Sequence, residues 1–290
     1  MVLLVGATGQ LGARVARELL SRGIKVRALV RPTSPSGALR RMGAEIVPGD
    51  LRDPASLAIA CAGADTVITT ANTARRGGDD TIERVDRAGT QALVDAARNA
   101  GAGHFVYMSA YGASPASPVP FLAAKGESEQ YLRDSGLAWT IVAADAFMES
   151  WPGAIVGARA LAGQPVVIVG EGRRRHSYIA EHDVAQYLVA AVMNPSARNR
   201  LLTIGGPHAL SWRDVIATYE RVLGAAIDVR FVQRGERVEG IPDVLLALLA
   251  MSDTYDSEID STAIASEFGV TQTTLEPWVR ASLASARRGV

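Results

Sequence analysis

Lys125 is the residue in this chain best placed to do chemistry. It closes the segment Phe121-Leu122-Ala123-Ala124-Lys125, while Ser109 ends an apolar run upstream and Tyr111 follows it. On a helix, Phe121 and Lys125 lie one turn apart and face the same way. An ammonium there can hold the ribose hydroxyls of a cofactor and keep positive charge near a reacting centre. A tyrosine one turn ahead of the lysine would add a proton donor. The residue in that place is Phe121, which cannot donate, so its ring packs in the core or against a flat substrate. Tyr111 sits just beyond a strand end, where α/β sheets bind ligands. It either offers its hydroxyl to a carbonyl oxygen or packs as an ordinary loop tyrosine, and Ser109 can assist by hydrogen bonding.

A second group of residues is suited to binding rather than reaction. Val2–Val5 runs into Gly6-Ala7-Thr8-Gly9-Gln10-Leu11-Gly12 at the start of the chain. Gly6 permits a tight turn out of the strand, and Gly9 lets a pyrophosphate approach backbone N–H groups at a helix N-terminus. Gly12 lets the helix pack closely on the sheet. A strand before the glycines and a helix after them is the context that a dinucleotide site requires. Arg31 follows the second strand, where an acid would hold a ribose 2′-OH and a cation suits a 2′-phosphate. NADP(H) is therefore favoured over NAD(H). Asp50 and Leu51 fall where an adenine would lie, and Thr70-Ala71-Asn72 where the nicotinamide half would pass.

These residues need a framework that brings strand ends together. Apolar runs at Val2–Val5, Lys25–Val30, Glu45–Val47, Asp65–Thr70, His104–Ser109 and Ala138–Ala143 read as strands. Helical patterns at Leu11–Ser21, Pro54–Ala60, Asp79–Ala100 and Pro120–Ser135 alternate with them. That alternation predicts βαβ crossovers and an α/β, Rossmann-type doubly wound parallel sheet. The pattern changes after residue 144. Strands are expected at Gln164–Val169, Leu201–Ile204 and Ile227–Phe231, and helices at Ser211–Leu223, Pro242–Met251 and Thr274–Ala284. The expected organisation is an NAD(P)-binding Rossmann domain over 1–150 and a smaller α/β substrate- or partner-binding region over 151–290.

Composition narrows the function. The 30 Lys+Arg residues balance 30 Asp+Glu, so no global field recruits nucleic acid or an anionic membrane. One cysteine, Cys61, excludes an intrachain disulfide and fits a reducing cytoplasm. The longest apolar run, Val244–Met251, is far shorter than the roughly 20 residues of a membrane span. No metal site is expected, because His104, His182 and His208 lack ligand spacing. Arg173-Arg174-Arg175-His176 reads as a solvated basic loop, and Asp183 as a helix cap before Val184.

The glycine turn, Val26–Pro32, Gly49-Asp50-Leu51-Arg52-Asp53, Ser109-Ala110-Tyr111-Gly112 and Lys125 through Phe147-Met148-Glu149 together resemble the NmrA-like branch of the atypical short-chain dehydrogenase/reductases. Ile179–Ala185 and Gly205-Gly206-Pro207 extend the resemblance to about Gly224. The resemblance implies an NAD(P)-binding Rossmann fold and, among known members, quinone reductases, redox sensors that bind NADP without turnover, and assembly factors. Members of the wider superfamily carry Tyr-x-x-x-Lys where this chain has Phe121 and Lys125. Members also often carry Arg-Pro-Gly after the sixth strand, where this chain has Ala143-Ala144-Asp145-Ala146. The expected substrate pocket comprises Tyr111, Phe121, Phe147, Met148 and Trp151, the last two serving equally well as core. Hydride transfer to a quinone-like conjugated acceptor tolerates loss of the tyrosine, since the product anion is delocalised and takes its proton from water. A non-catalytic sensor or assembly protein, with a protein partner or as a homodimer, is the alternative.

Overall fold

The computed structural model describes all residues except 75–76, 242 and 289–290. Along the chain run β1 (Val2–Val5), α1 (Gln10–Ser21), β2 (Val26–Val30), α2 (Gly37–Arg41), β3 (Glu45–Pro48), α3 (Pro54–Cys61) and β4 (Thr66–Thr69). A turn of wider, π-type helix (Ile82–Arg87) leads into α4 (Ala88–Asn99), followed by β5 (His104–Ala110), α5 (Pro120–Asp134) and β6 (Trp139–Ala144). A second wide turn (Glu149–Gly157) precedes α6 (Ala158–Leu161), β7 (Val166–Val169), β8 (Arg175–His176) and α7 (Glu181–Met193). The remainder comprises β9 (Arg200–Ile204), β10 (Leu210–Ser211), α8 (Trp212–Leu223), β11 (Val229–Val232), α9 (Asp243–Ser252), α10 (Thr262–Phe268) and α11 (Leu275–Arg288).

The main sheet has seven strands in the order β3-β2-β1-β4-β5-β6-β9, with β1 paired in parallel to both β2 and β4. The strand order therefore reverses between β1 and β4, which opens a crevice beyond their C-terminal ends. The Rossmann-type doubly wound fold expected from the alternation is the one observed. All four residues of β1 are buried, as expected for a strand covered on both faces.

The chain divides into two compact units. The first comprises Met1–Ala144 with two returning segments, His182–Thr203 and Ile264–Val270. One part of its core joins Leu3, Leu57, Leu93, Phe105 and Ile141 from strands and helices far apart in sequence. The second unit takes Asp145–Glu181, Ile204–Ala263 and Thr271–Val290, and holds the pairs β7–β11 and β8–β10. Its core gathers Val156, Ile168, Tyr178, Val215, Tyr219 and Val279.

Local chemistry explains the element ends. Asp53 caps α3 by accepting from Ala55 N, with Pro54 supplying a preset first-turn dihedral. Ser211 and Asp214 form a reciprocal capping box on α8, and Gly224 ends that helix in the left-handed region. The helix expected from Asp79 starts instead at Ile82, because the Thr81 hydroxyl accepts from Arg84 N and fixes the start there. α7 begins at Glu181, and Asp183 is a buried residue of its first turn. Of the apolar helix expected over Pro242–Met251, Pro242 lies outside the described residues and the rest is α9. No helix among the described residues is long and apolar enough to cross a membrane.

Candidate functional site

The glycine turn packs against the loop after β4. Gly6 adopts φ +87°, and a Cβ there would stand 2.7 Å from both Ala71 N and Thr70 Oγ1. A Cβ on Gly12 would run into the carbonyl of Gly6. Both glycines are thus demanded by the protein's own packing. Gly9 differs: its dihedrals are ordinary, and an added Cβ would meet only Gly6 O at 3.3 Å. Thr8, Gly9 and Gln10 are exposed, and Gly9 sits at the cap position of α1 with no side chain to occupy the helix N-terminus. This is a cradle that a side chain would fill and that suits a pyrophosphate.

Beside it lies a groove between strand ends. Gly6 and Thr8 line it from the turn after β1, Arg31 from the end of β2, Asp50 and Leu51 from the loop after β3, and Ala71 from the loop after β4. Six of the residues expected to bind a cofactor therefore converge on one concavity. The Asp50 loop is held by Ser56, whose hydroxyl donates to Asp53 O at 2.8 Å. Asp50 accepts from Arg52 Nε and Nη2 at 3.0 and 2.8 Å, and this partner holds its carboxyl below the usual range.

The other expected residues lie around the turn. Leu11 is buried in the core, so only its backbone could face a ligand. Thr70 N bonds Val5 O at 3.0 Å. Asn72 Oδ1 accepts from Ala74 N at 3.0 Å, which shapes the loop after β4.

Lys125 occupies a buried polar cluster beneath the end of β5. Only 3% exposed, it donates from Nζ to Met108 O at 2.9 Å. Nζ also stands 4.9 Å from the centre of the Tyr107 ring and 5.2 Å from that of Phe121. Burial pulls the ammonium down to about 8, while Asp86 and Glu129 act in the opposite sense. Glu129 accepts from Ser109 Oγ at 2.5 Å and from Arg133 Nη2 at 3.0 Å. Asp86 Oδ2 accepts from Thr73 N at 3.2 Å and from Thr73 Oγ1 at 2.5 Å. Burial raises the Tyr107 phenol above its ordinary value. Tyr111 is 38% exposed, and its N–H bonds Ala144 O at 2.8 Å, which holds it at the C-terminal edge of β5 and β6. Phe121 is half-buried near the start of α5.

Sequence reasoning missed Asp86, Glu129 and Thr73. The Glu129 side chain had a signal, since it stands one helical turn after Lys125. Asp86 and Thr73 gave none, because tertiary structure alone brings them near.

Phe147, Met148 and Trp151 belong to the second unit. Met148 is buried in that unit's core, and Trp151 stacks on Trp212 with ring centroids 6.3 Å apart. The basic run is paired there, Arg173 with Glu171 at 2.7 Å and Arg174 with Asp256 at 2.8 Å.

Comparison with known proteins identifies the architecture. The family model described as NAD(P)H-binding matches residues 6–195. An NAD(P)H azoreductase of Xenophilus azovorans is 32% identical over 262 residues, which is 88% of this chain and 86% of that protein. The Photosystem II assembly factor Ycf39 of Cyanophora paradoxa is 30% identical over 225 residues, 77% of this chain and 68% of that protein. The crystal structure of an NADPH-dependent quinone oxidoreductase from Escherichia coli, complexed with NADPH, superposes with a TM-score of 0.81 at 22% identity, covering 98% of this chain and 100% of that one. The chain belongs to the NAD(P)H-binding family, in its NmrA-like branch of atypical short-chain dehydrogenase/reductases.

Proposed function

We propose that this member of the NAD(P)H-binding family is an NADPH-dependent reductase of a flat, conjugated acceptor of the quinone type. The observation that supports the proposal is a groove lined by Gly6, Thr8, Arg31, Asp50, Leu51 and Ala71, together with phenylalanine, not tyrosine, beside the buried Lys125. The glycine turn would hold the pyrophosphate, Asp50 and Leu51 the adenine end, and Arg31 the 2′-phosphate. Thr70, Ala71 and Asn72 would border the nicotinamide half. The bound cofactor supplies a hydride. With one proton taken up, a quinone becomes a hydroquinone, and the half-exposed Tyr111 hydroxyl or water delivers that proton. Lys125 would act from within the fold, its charge placed under the end of β5 where Ser109 and Tyr111 emerge. An acceptor whose anion is delocalised makes little demand on a protein acid, whereas a simple ketone needs the phenol that Phe121 lacks. Residues 1–150 are assigned the cofactor and 151–290 the acceptor or partner, in a cytoplasmic protein.

The test is steady-state NADPH oxidation with a panel of quinones, azo dyes and simple ketones. Turnover of the conjugated acceptors and none of the ketones is expected; no oxidation above background with any acceptor would overturn the proposal. A second reading, a non-catalytic NADP(H)-binding sensor or assembly protein, is favoured by the similarity to the assembly factor. It predicts cofactor binding without turnover, and a protein partner.

A further inference from the structure

Asp80 holds two arginines at the edge of the cofactor groove. Arg31, which lines the groove, reaches Asp80 Oδ2 through Nη1 at 2.7 Å. Arg52 reaches the other oxygen, Oδ1, through its own Nη1 at 3.3 Å. Each arginine thus presents one guanidinium nitrogen to one oxygen of a single carboxylate. Arg52 is fixed in this pose, because its Nε and Nη2 are both engaged by Asp50. The Asp80 side chain is 10% exposed, between arginine side chains that are 31% and 27% exposed, so the oxyanion site is partly buried and open on the arginine side.

The position of this site gives it a purpose. Arg31 follows β2, where the ribose 2′ position of a bound dinucleotide falls, and Arg52 follows β3. Two guanidinium groups converging on one oxyanion also suit a phosphate, which carries roughly −1.5 to −2 charge against the single charge of a carboxylate. We propose that Asp80 is an internal stand-in for the cofactor's 2′-phosphate, that Arg52 is a second residue selecting that phosphate, and that NADPH binds by displacing the Asp80 carboxylate. This rests on the NADPH reading above. An unphosphorylated ribose offers no competing anion, so NADH leaves Asp80 in place.

The exchange is tested by binding, without turnover. Dissociation constants for NADPH, NADH, adenosine 2′,5′-bisphosphate and 5′-AMP are measured by titration for the wild type, Asp80→Asn and Arg52→Gln, with thermal melts confirming that each variant is folded. Asp80→Asn removes the competing charge and should tighten NADPH and the bisphosphate by about three- to tenfold while leaving NADH and 5′-AMP within about twofold. Arg52→Gln should weaken the two phosphorylated ligands by about tenfold or more and spare the others. A wild type that binds NADPH no tighter than NADH overturns the cofactor reading itself. A wild type that prefers NADPH, with Asp80→Asn leaving that affinity unchanged, weakening it or tightening all four ligands alike, overturns the exchange alone. An unchanged NADPH constant in Arg52→Gln removes Arg52 from the site.

Discussion

Replacing Lys125 with methionine should erase a rise in stability with alkaline pH. The side chain is buried, its ammonium is pulled down to about 8 from an ordinary 10.5, and burial is the main cause. Between those two values the unfolded chain holds a proton that the folded chain has released. Unfolding then takes up a proton, so stability climbs as pH rises through the window and is lost as pH falls toward 8. The full difference corresponds to about 3 kcal/mol at ~1.4 kcal/mol per pH unit of displacement. Because the folded group is still partly charged at pH 8, about 2 kcal/mol of this falls between roughly pH 7.5 and 9.5.

The assay is urea unfolding of the wild type and Lys125→Met at intervals across that range, read as the difference between the two. Cys61 works against the trend, since burial pushes its thiol up to about 11, but it is common to both proteins and cancels. Methionine nearly matches the lysine stem in length and carries no charge, so the variant lacks the titration while keeping most of the packing. It also leaves Asp86 and Glu129 without their ammonium, which lowers its stability at neutral pH. A difference that stays flat within about 0.5 kcal/mol across the range would refute the claim that Lys125 is held buried against its charge.

Three further changes probe the rest of the framework. The His104 imidazole is buried and driven down to about 4 from 6.5, so the unfolded chain binds the extra proton between those values. The native state should lose up to about 3 kcal/mol as pH falls from 6.5 to 4, and thermal melts of His104→Gln should show that acid loss reduced. Gly12→Val forces a side chain into the Gly6 carbonyl and should cost about 1–3 kcal/mol or more in urea unfolding, with dinucleotide binding lost as well. Gly9→Asp should separate the two effects. Aspartate is a favourable cap with ordinary dihedrals at this position, and its Cβ would press only on Gly6 O at 3.3 Å, so stability should fall by no more than about 1 kcal/mol while its carboxylate repels the pyrophosphate and NADPH titration shows no binding.

Where the sequence was legible, one force dominated. The strands β1, β2, β4, β5 and β6 are short apolar runs set off by glycines and polar turns, and each was found within a residue or two of its place. The glycine turn was legible because two of its glycines answer steric demands and the third sits at a helix start. Elements with two competing signals were harder. Most of α7 is buried, with Val184, Ala185, Leu188 and Val189 leaving little polar face, so its helical period is masked. The wide turn Glu149–Gly157 contains Pro152, which argues against a helix wherever the surrounding fold does not compensate. Asp79 and Thr81 are both capping residues, and only the hydrogen bond to Arg84 N decides between them. The partners of Lys125 and Arg31 were invisible for a different reason. Asp86 and Asp80 reach them across the fold, and nothing in their sequence positions records that convergence.

That convergence changes what the loss of the tyrosine means. A lysine kept only to lower the pKa of a neighbouring phenol would have no use beside Phe121. In this fold the same ammonium bonds the Met108 carbonyl and interacts with the charges of Asp86 and Glu129, two buried acids. Through Glu129 it also bears on Ser109, whose hydroxyl the glutamate fixes at the very end of β5. Lys125 therefore has a structural reason to persist whether or not a proton donor stands one turn away, and its presence cannot be taken as evidence for carbonyl reduction. Cofactor binding rests instead on the groove and the cradle at Gly9, neither of which involves Phe121. Phe121 thus bears on the acceptor chemistry proposed above, and the cofactor groove is built without it.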